Sequence, residues 1–215
     1  MKRYDFPKTD GKTLGYTVFL PESFSKDTAY PLILSLHGAG ERGNGADELE
    51  KATDIGLGKY IKLEQMQVNA IVLCPQCPKD RVWNQLIFDT RELLLKIADE
   101  YGADKKKISV TGMSMGGFGT WEMGMQFPEL FSALAPICGG GMAWRTPALK
   151  GKPIWAFHGD ADNVVAISNS MDMVNGARKN GADVKFTIFN NVMHNSWDPA
   201  YLDTKVIDWL ISKSI

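Results

Sequence analysis

The sequence predicts an α/β fold with a mostly parallel central sheet, and three observations predict it. Short apolar runs rich in β-branched and aromatic residues recur along the chain, helical patterns separate them, and two strand-like stretches with a turn signal precede them. The two leading stretches lie at 2–7 and 12–20, with Asp10-Gly11 between them as a hairpin turn, so they are expected to be antiparallel. The apolar runs follow at 31–36, 70–74, 107–111, 133–137, 154–158 and 184–189. Continuous apolar runs of this length suit strands buried on both faces. The clearest helix spans about 84–101, where Leu86, Leu93, Leu94, Ile97 and Tyr101 recur at helical spacing. Further helices are expected over 115–126, 168–180 and 201–212.

Bulk properties narrow the rest. The 215 residues show no composition break, no repeat and no low-complexity segment, so a single domain over 1–215 is expected. Hydrophobic residues make up 44% and the formal net charge is -1, which gives no basic face for nucleic acid or an acidic membrane. Three cysteines, Cys74, Cys77 and Cys138, do not read as a disulfide framework. Residues 1–10 carry charge and no signal-peptide apolar core, and no apolar run reaches membrane-spanning length. A cytoplasmic location is the default expectation, with secretion of a trimmed precursor left open.

In open α/β sheets, ligands bind beyond the carboxyl ends of the strands, so chemistry is sought just after each apolar run. After the run at 107–111 comes Gly112-Met113-Ser114-Met115-Gly116, a G-x-S-x-G between a strand and a helix. So tight a turn forces strained angles on the serine, and glycine two places before and after it removes a collision. The gain is a hydroxyl held at the strand tip above a helix N-terminus. A serine hydroxyl needs a base. Of the three histidines, His194 lies in a loop past the last run, whereas His37 and His158 end their own runs and read as structural. The base in turn needs a carboxylate. Asp160 and Asp162 compete; turn aspartates such as Asp160 usually bond loop N–H groups, and Asp162, before the apolar pair Val164-Val165, is favoured. The oxyanion needs two backbone N–H donors. Met115, after the nucleophile, is one candidate, and Ala39 in the glycine-rich stretch 37–43 is the other.

Together these stretches, with Cys74-Pro75-Gln76-Cys77-Pro78, Trp83, 136–141, 158–165 and Trp197, resemble one group of α/β-hydrolases. It is the predicted peptidase and esterase set related to polyhydroxybutyrate depolymerases, feruloyl esterases and dienelactone hydrolases, and the resemblance runs from about Pro31 to the end. It implies an α/β-hydrolase fold with helices on both faces and a minimal lid. It also implies a serine carboxylesterase with Ser114, Asp162 and His194 as its triad, Ala39 and Met115 at the oxyanion, and no metal or cofactor. Asn163 stands where many relatives carry proline, which bears on loop stiffness more than chemistry.

Weaker signals point to the substrate. Trp83, Trp144 and Trp197 fall in loops around the serine and are candidates for lining a pocket, with Glu41 beside the oxyanion loop. An aromatic pocket would suit feruloyl-type esters. Only 139–152 is long enough to cover the site, so small, soluble or sugar-linked esters, of acetyl or feruloyl type, are expected as partners. A homodimer is compatible with the composition. Cys74-x-x-Cys77 reads as structural, because Pro75 and Pro78 argue for an extended loop rather than a redox helix start. Two rivals stand beside the esterase: a small serine peptidase or amidase, and a non-catalytic binding protein on the same fold.

Overall fold

A computed structural model of the chain describes residues 2–5 and 13–215. Among the described residues eight strands form one sheet: β1 (Lys2–Asp5), β2 (Thr13–Phe19), β3 (Leu32–Leu36), β4 (Ile71–Pro75), β5 (Ile108–Met113), β6 (Ala133–Ile137), β7 (Pro153–Gly159) and β8 (Asp183–Phe189). Their order is β1-β2-β4-β3-β5-β6-β7-β8. The pairs β1–β2 and β2–β4 are antiparallel, and every later neighbour pair is parallel. The expected Asp10-Gly11 turn lies outside the described residues.

Alternation along the strands builds a core on each face. Leu32, Leu34 and Leu36 turn one way with Ile71, Leu73, Ile108 and Val110. They meet Leu93, Leu94 and Ile97 of α2 (Ile87–Glu100), Trp121 and Met123 of α3 (Met115–Gln126), and Met173 of α4 (Ser168–Lys179). Ile33, Val72, Ala133, Ala135, Ile137 and Phe157 turn the other way. They meet Tyr60 of α1 (Gly56–Lys62), Tyr201 of α5 (Trp197–Leu202) and Leu210 of α6 (Val206–Ser212). The sheet is thus covered on both faces, as its apolar runs require.

Four elements depart from the sequence reading. The helix expected from about 84 begins with a separate 3-10 turn, Trp83–Gln85, because Trp83 is drawn into the core. The helix expected over 201–212 is two helices, α5 and α6. Between them the Thr204 hydroxyl donates to the Ala200 carbonyl and accepts from the Val206 N–H, ending one helix and starting the next. The helix α1 has no apolar period to announce it, since two of its seven residues are glycine. At Gly58 a Cβ would stand 3.0 Å from the Thr53 Cγ2, so this turn exists through close packing. The strand β8 is an edge strand with no fully buried residue, and Lys185 covers the Trp155 ring at 3.5 Å.

One crossing fixes the loop that follows β3. The segment 43–48 passes over β2 at Gly15, where an added Cβ would lie 2.5 Å from the Gly45 carbonyl oxygen. Both sides of this contact are backbone, so neither can swing aside. Gly15→Ala is therefore expected to lower stability by about 1–3 kcal/mol, read from urea unfolding.

Candidate active site

The strand β5 runs into α3 through Ser114, whose backbone sits at φ 55°, ψ -121°. For a residue other than glycine this is a strained conformation, costing about 1–3 kcal/mol. The surroundings hold it there. A Cβ at Gly112 would lie 2.5 Å from the Gly116 carbonyl oxygen, and one at Gly116 would lie 2.0 Å from that of Leu36. The Ser114 N–H donates to the Ile137 carbonyl at 3.0 Å, and the Ser114 carbonyl accepts from the Phe118 N–H at 3.0 Å. The start of α3 is therefore pressed between β3 and β6, and Ser114 is the one residue left to turn outward.

Three side chains from three loops meet at that point. The Ser114 hydroxyl lies 2.9 Å from His194 Nε2, and His194 Nδ1 lies 2.8 Å from Asp162 Oδ2. A carboxylate only accepts, so Nδ1 carries the proton and Nε2 presents a lone pair to the hydroxyl. The side chain of Asp162 is shielded from solvent, while that of His194 remains partly accessible. Burial works to raise the Asp162 pKa, but the bond from His194 and the N–H groups of Val165 and Val164 win, and the carboxyl titrates below its ordinary value. The competitor Asp160 faces elsewhere, accepting the Asn191 N–H at 2.7 Å. It pins the loop that carries His194. Trp197 stands edge-on to the His194 ring at 5.4 Å and 90°, so it backs that ring.

The loop after β3 is braced from below. His37 accepts the Cys77 N–H at Nε2 (2.9 Å) and donates from Nδ1 to the Gly38 carbonyl (2.6 Å). Burial first, with Arg42 nearby, pushes its pKa down to about 4 against the Gly38 bond, so it stays neutral. Gln76 is fully enclosed and ties three strands of the loop together: its Oε1 accepts the Gly45 N–H, and its Nε2 donates to the Glu41 and Glu48 carbonyls. At Gly43 a Cβ would lie 2.4 Å from that Nε2. Sequence reasoning missed Gln76; a glutamine between two cysteine–proline pairs carries no periodic signal of its role. Ala39 and Gly40 are left exposed at the tip, and Arg42 Nε holds the Ala39 carbonyl at 2.8 Å. At neighbouring Gly38 an added Cβ would lie 3.7 Å from the Ser114 Cβ and 2.9 Å from Glu41 Oε2. Glu41 thus folds back over the loop beside the serine. Burial raises its pKa against the bonds it accepts from its own and the Gly38 N–H.

The tryptophans divide. Trp83 does not line a pocket, contrary to the sequence reading: it is 1% exposed. Its indole N–H donates to the His37 carbonyl at 2.9 Å, and Gly119 makes room for it, since a Cβ there would lie 2.7 Å from the Trp83 Cβ. Trp144 is the opposite, 76% exposed on the 3-10 segment Ala143–Leu149. The next residue, Arg145, pairs with Glu122 and Gln126 on α3 and fastens that segment down. The three cysteines are free and buried, and burial pushes each thiol up to about 12. Among the described residues one group has metal-ligand types close together: Cys138, Asp162 and His194, with ligand atoms within 4.8 Å. Its chemistry does not favour a metal, because Asp162 and His194 spend those atoms on each other and the Cys138 thiol is held protonated.

The chain is similar to known proteins in sequence and fold. A family model described as "Dienelactone hydrolase family" matches residues 12–199. The bifunctional acetylxylan esterase/xylanase of Neocallimastix patriciarum is 26% identical over 182 residues, covering 83% of this chain and 25% of that protein. Feruloyl esterase B of Piromyces equi is 27% identical over 176 residues, covering 73% of this chain and 31% of that protein. The chain thus spans about a third or less of these relatives. A solved structure of a thermostable esterase superposes with TM-score 0.85 at 33% identity, covering all of this chain and 62% of that one.

The His37 brace has a measurable consequence. Its pKa is about 4 in the fold against 6.5 unperturbed, so the unfolded chain takes up the proton first as pH falls. Stability is therefore unaffected above about pH 7.5 and drops by about 3 kcal/mol between roughly pH 6.5 and 4 from this residue. His158, also lowered by burial, costs stability in the same direction below the ordinary histidine pKa, and Asp162 and Glu48, held low, add losses further down. Urea unfolding at pH 7.5 and 4.5 reads this, and His37→Gln is expected to flatten the difference.

Proposed function

The chain belongs to the dienelactone hydrolase family, and on that premise we propose that it is a serine carboxylesterase acting through an acyl-enzyme on Ser114. The observation that carries this reading is the unbroken line from the Ser114 hydroxyl through His194 to Asp162, at 2.9 and 2.8 Å. His194 Nε2 takes the hydroxyl proton as Ser114 attacks the ester carbonyl. Asp162, deprotonated at neutral pH, stabilises the imidazolium that forms. The N–H of Met115, first residue of α3, and that of Ala39, at the exposed loop tip, are the donors for the oxyanion. His194 then protonates the leaving alcohol, and water repeats the sequence on the acyl-enzyme. A thiol nucleophile, the alternative for this chemistry, would put cysteine where the elbow has Ser114.

The surroundings of the serine support a substrate class. Small or sugar-linked esters of acetyl or feruloyl type suit a serine beside an exposed loop tip, Ala39 and Gly40, and a histidine that keeps partial access to solvent. The names of the two curated relatives, an acetylxylan esterase and a feruloyl esterase, support the same class. With Trp83 enclosed, the exposed Trp144 and the half-buried Trp197 beside His194 are the candidate tryptophans still open to an aromatic acyl group or a sugar ring.

Ester hydrolysis and fluorophosphonate labelling test the reading. Ser114→Ala is expected to abolish labelling and to lower kcat by about 10⁴-fold or more. Asp162→Asn is expected to lower kcat by about 10³- to 10⁴-fold, and Asp160→Asn by less than about tenfold. Wild-type protein that neither labels nor cleaves p-nitrophenyl acetate would make this a binding protein; faster cleavage of aminoacyl anilides would make it an amidase. On a panel of methyl hydroxycinnamates and acetyl esters, Trp144→Ala is expected to raise KM for the aromatic esters by about three- to tenfold and leave the acetyl esters unchanged.

A further inference from the structure

A second imidazole shares the carboxylate that holds the base. His158, near the end of β7, is fully buried, and acyl transfer as described leaves it unused. Its Nε2 lies 2.9 Å from the Val165 carbonyl oxygen and 3.2 Å from Asp162 Oδ2. A carbonyl only accepts, so Nε2 carries a proton, and that N–H is shared with the same oxygen that takes the His194 proton. On its other side Nδ1, left as an acceptor, lies 2.7 Å from the Ser170 hydroxyl, whose one proton it shares with the Gly139 carbonyl 2.8 Å from the same oxygen. The ring is therefore fixed from β7, α4 and the turn after β6.

We propose that His158 is a positioning residue: by splitting Asp162 Oδ2 with His194, it sets the pH range over which His194 serves as the base. This rests on the esterase reading given above. The physical argument is charge sharing. An N–H dipole aimed at Oδ2 neutralises part of the carboxylate charge, so less of it remains to stabilise the His194 imidazolium. The charged or titratable groups facing His158 are Asp162 on its own loop and His194 from the loop after β8. Cys138, from the turn after β6, faces Asp162 as a protonated thiol, and Asp160 turns to Asn191 instead. The α4 face contributes the Ser170 hydroxyl. Burial lowers the His158 pKa, against the Val165 bond and the Asp162 charge that raise it, and so favours the neutral donor.

The sign follows. Removing the His158 N–H leaves more of the Asp162 charge for His194, which favours its protonated, inactive form. In His158→Met the acid limb of the kcat/KM profile for p-nitrophenyl acetate is expected to move up by about 0.5–1 pH unit. In His158→Gln, which keeps an N–H donor, it is expected to stay within about 0.3 unit of wild type. A fall in kcat with an unmoved acid limb in His158→Met would leave His158 a packing residue and overturn the proposal; so would an equal displacement in both variants. A second measurement decides the case without activity or a His158 variant. In ¹⁵N-histidine spectra of the wild type, His158 is expected as the Nε2–H tautomer, with its proton resonance shifted by Asp162→Asn. An Nδ1–H tautomer overturns the proposal even if the enzyme is active. A wild type inactive on every ester defeats the esterase reading alone.

Discussion

The strained turn at Ser114 is the constraint on which the rest of the structure depends. A residue with a side chain is held at φ 55° because backbone closes in on every other side. The Leu36 carbonyl sits where a Cβ of residue 116 would be, and the Ile137 carbonyl sits 2.3 Å from a Cβ position on Gly117. Backbone cannot yield as a side chain can, so α3 is wedged against β3 and β6 and its first residues have one arrangement. Fixing the helix start fixes the hydroxyl, and the hydroxyl fixes where the base must arrive. The strain is sustained by the parallel strands on either side, which are buried except at Ser35 and held by ladder hydrogen bonds.

The three histidines show how environment separates roles for one side chain. His37 is enclosed by the 77 loop and Trp83, bonded at both nitrogens, and neutral. His158 is enclosed by β7 and α4, also bonded at both nitrogens. Only His194 keeps partial access to solvent while one nitrogen faces a hydroxyl and the other a carboxylate. A ring with a lone pair directed at a partly accessible hydroxyl can cycle its proton; a ring enclosed on both sides, as His37 is by loop backbone and His158 by Ser170, Val165 and Asp162, holds its surroundings in place. The polar interior is not decoration on the fold. Gln76, His37 and Asp160 each spend their bonds on loop backbone, and so turn segments with little apolar content into fixed walls around the serine.

Much of this arrangement is local in origin and readable from the chain. The buried strands show as apolar runs because both faces are covered, and α3 spans 115–126 as expected because the elbow glycines mark its start. The choice between Asp160 and Asp162 is settled by remote segments: Asp160 accepts the Asn191 N–H from the loop after β8, while Asp162 takes the local turn N–H groups of Val164 and Val165 and still reaches the His194 ring. The readings that changed concern groups whose surroundings are supplied by remote segments. Trp83 is adjacent in sequence to loop residues, yet the cavity that receives it is made by Gly119 and His37. The break at Thr204 depends on one hydroxyl serving two helices, and composition does not distinguish that from a continuous helix.

The sequence by itself determined the succession of the buried strands and the longer helices, the family resemblance, and which serine, histidine and aspartate would come together. Period, glycine spacing and the position of each residue after a strand are properties of neighbouring residues, and neighbours are adjacent in the chain. Tertiary structure alone decided that Gln76 would tie down the loop beside the serine, that Trp83 would be enclosed and Trp144 left open, and that His158 would reach the acid already held by His194. Those outcomes turn on distances of a few ångströms between segments that meet only when the sheet assembles.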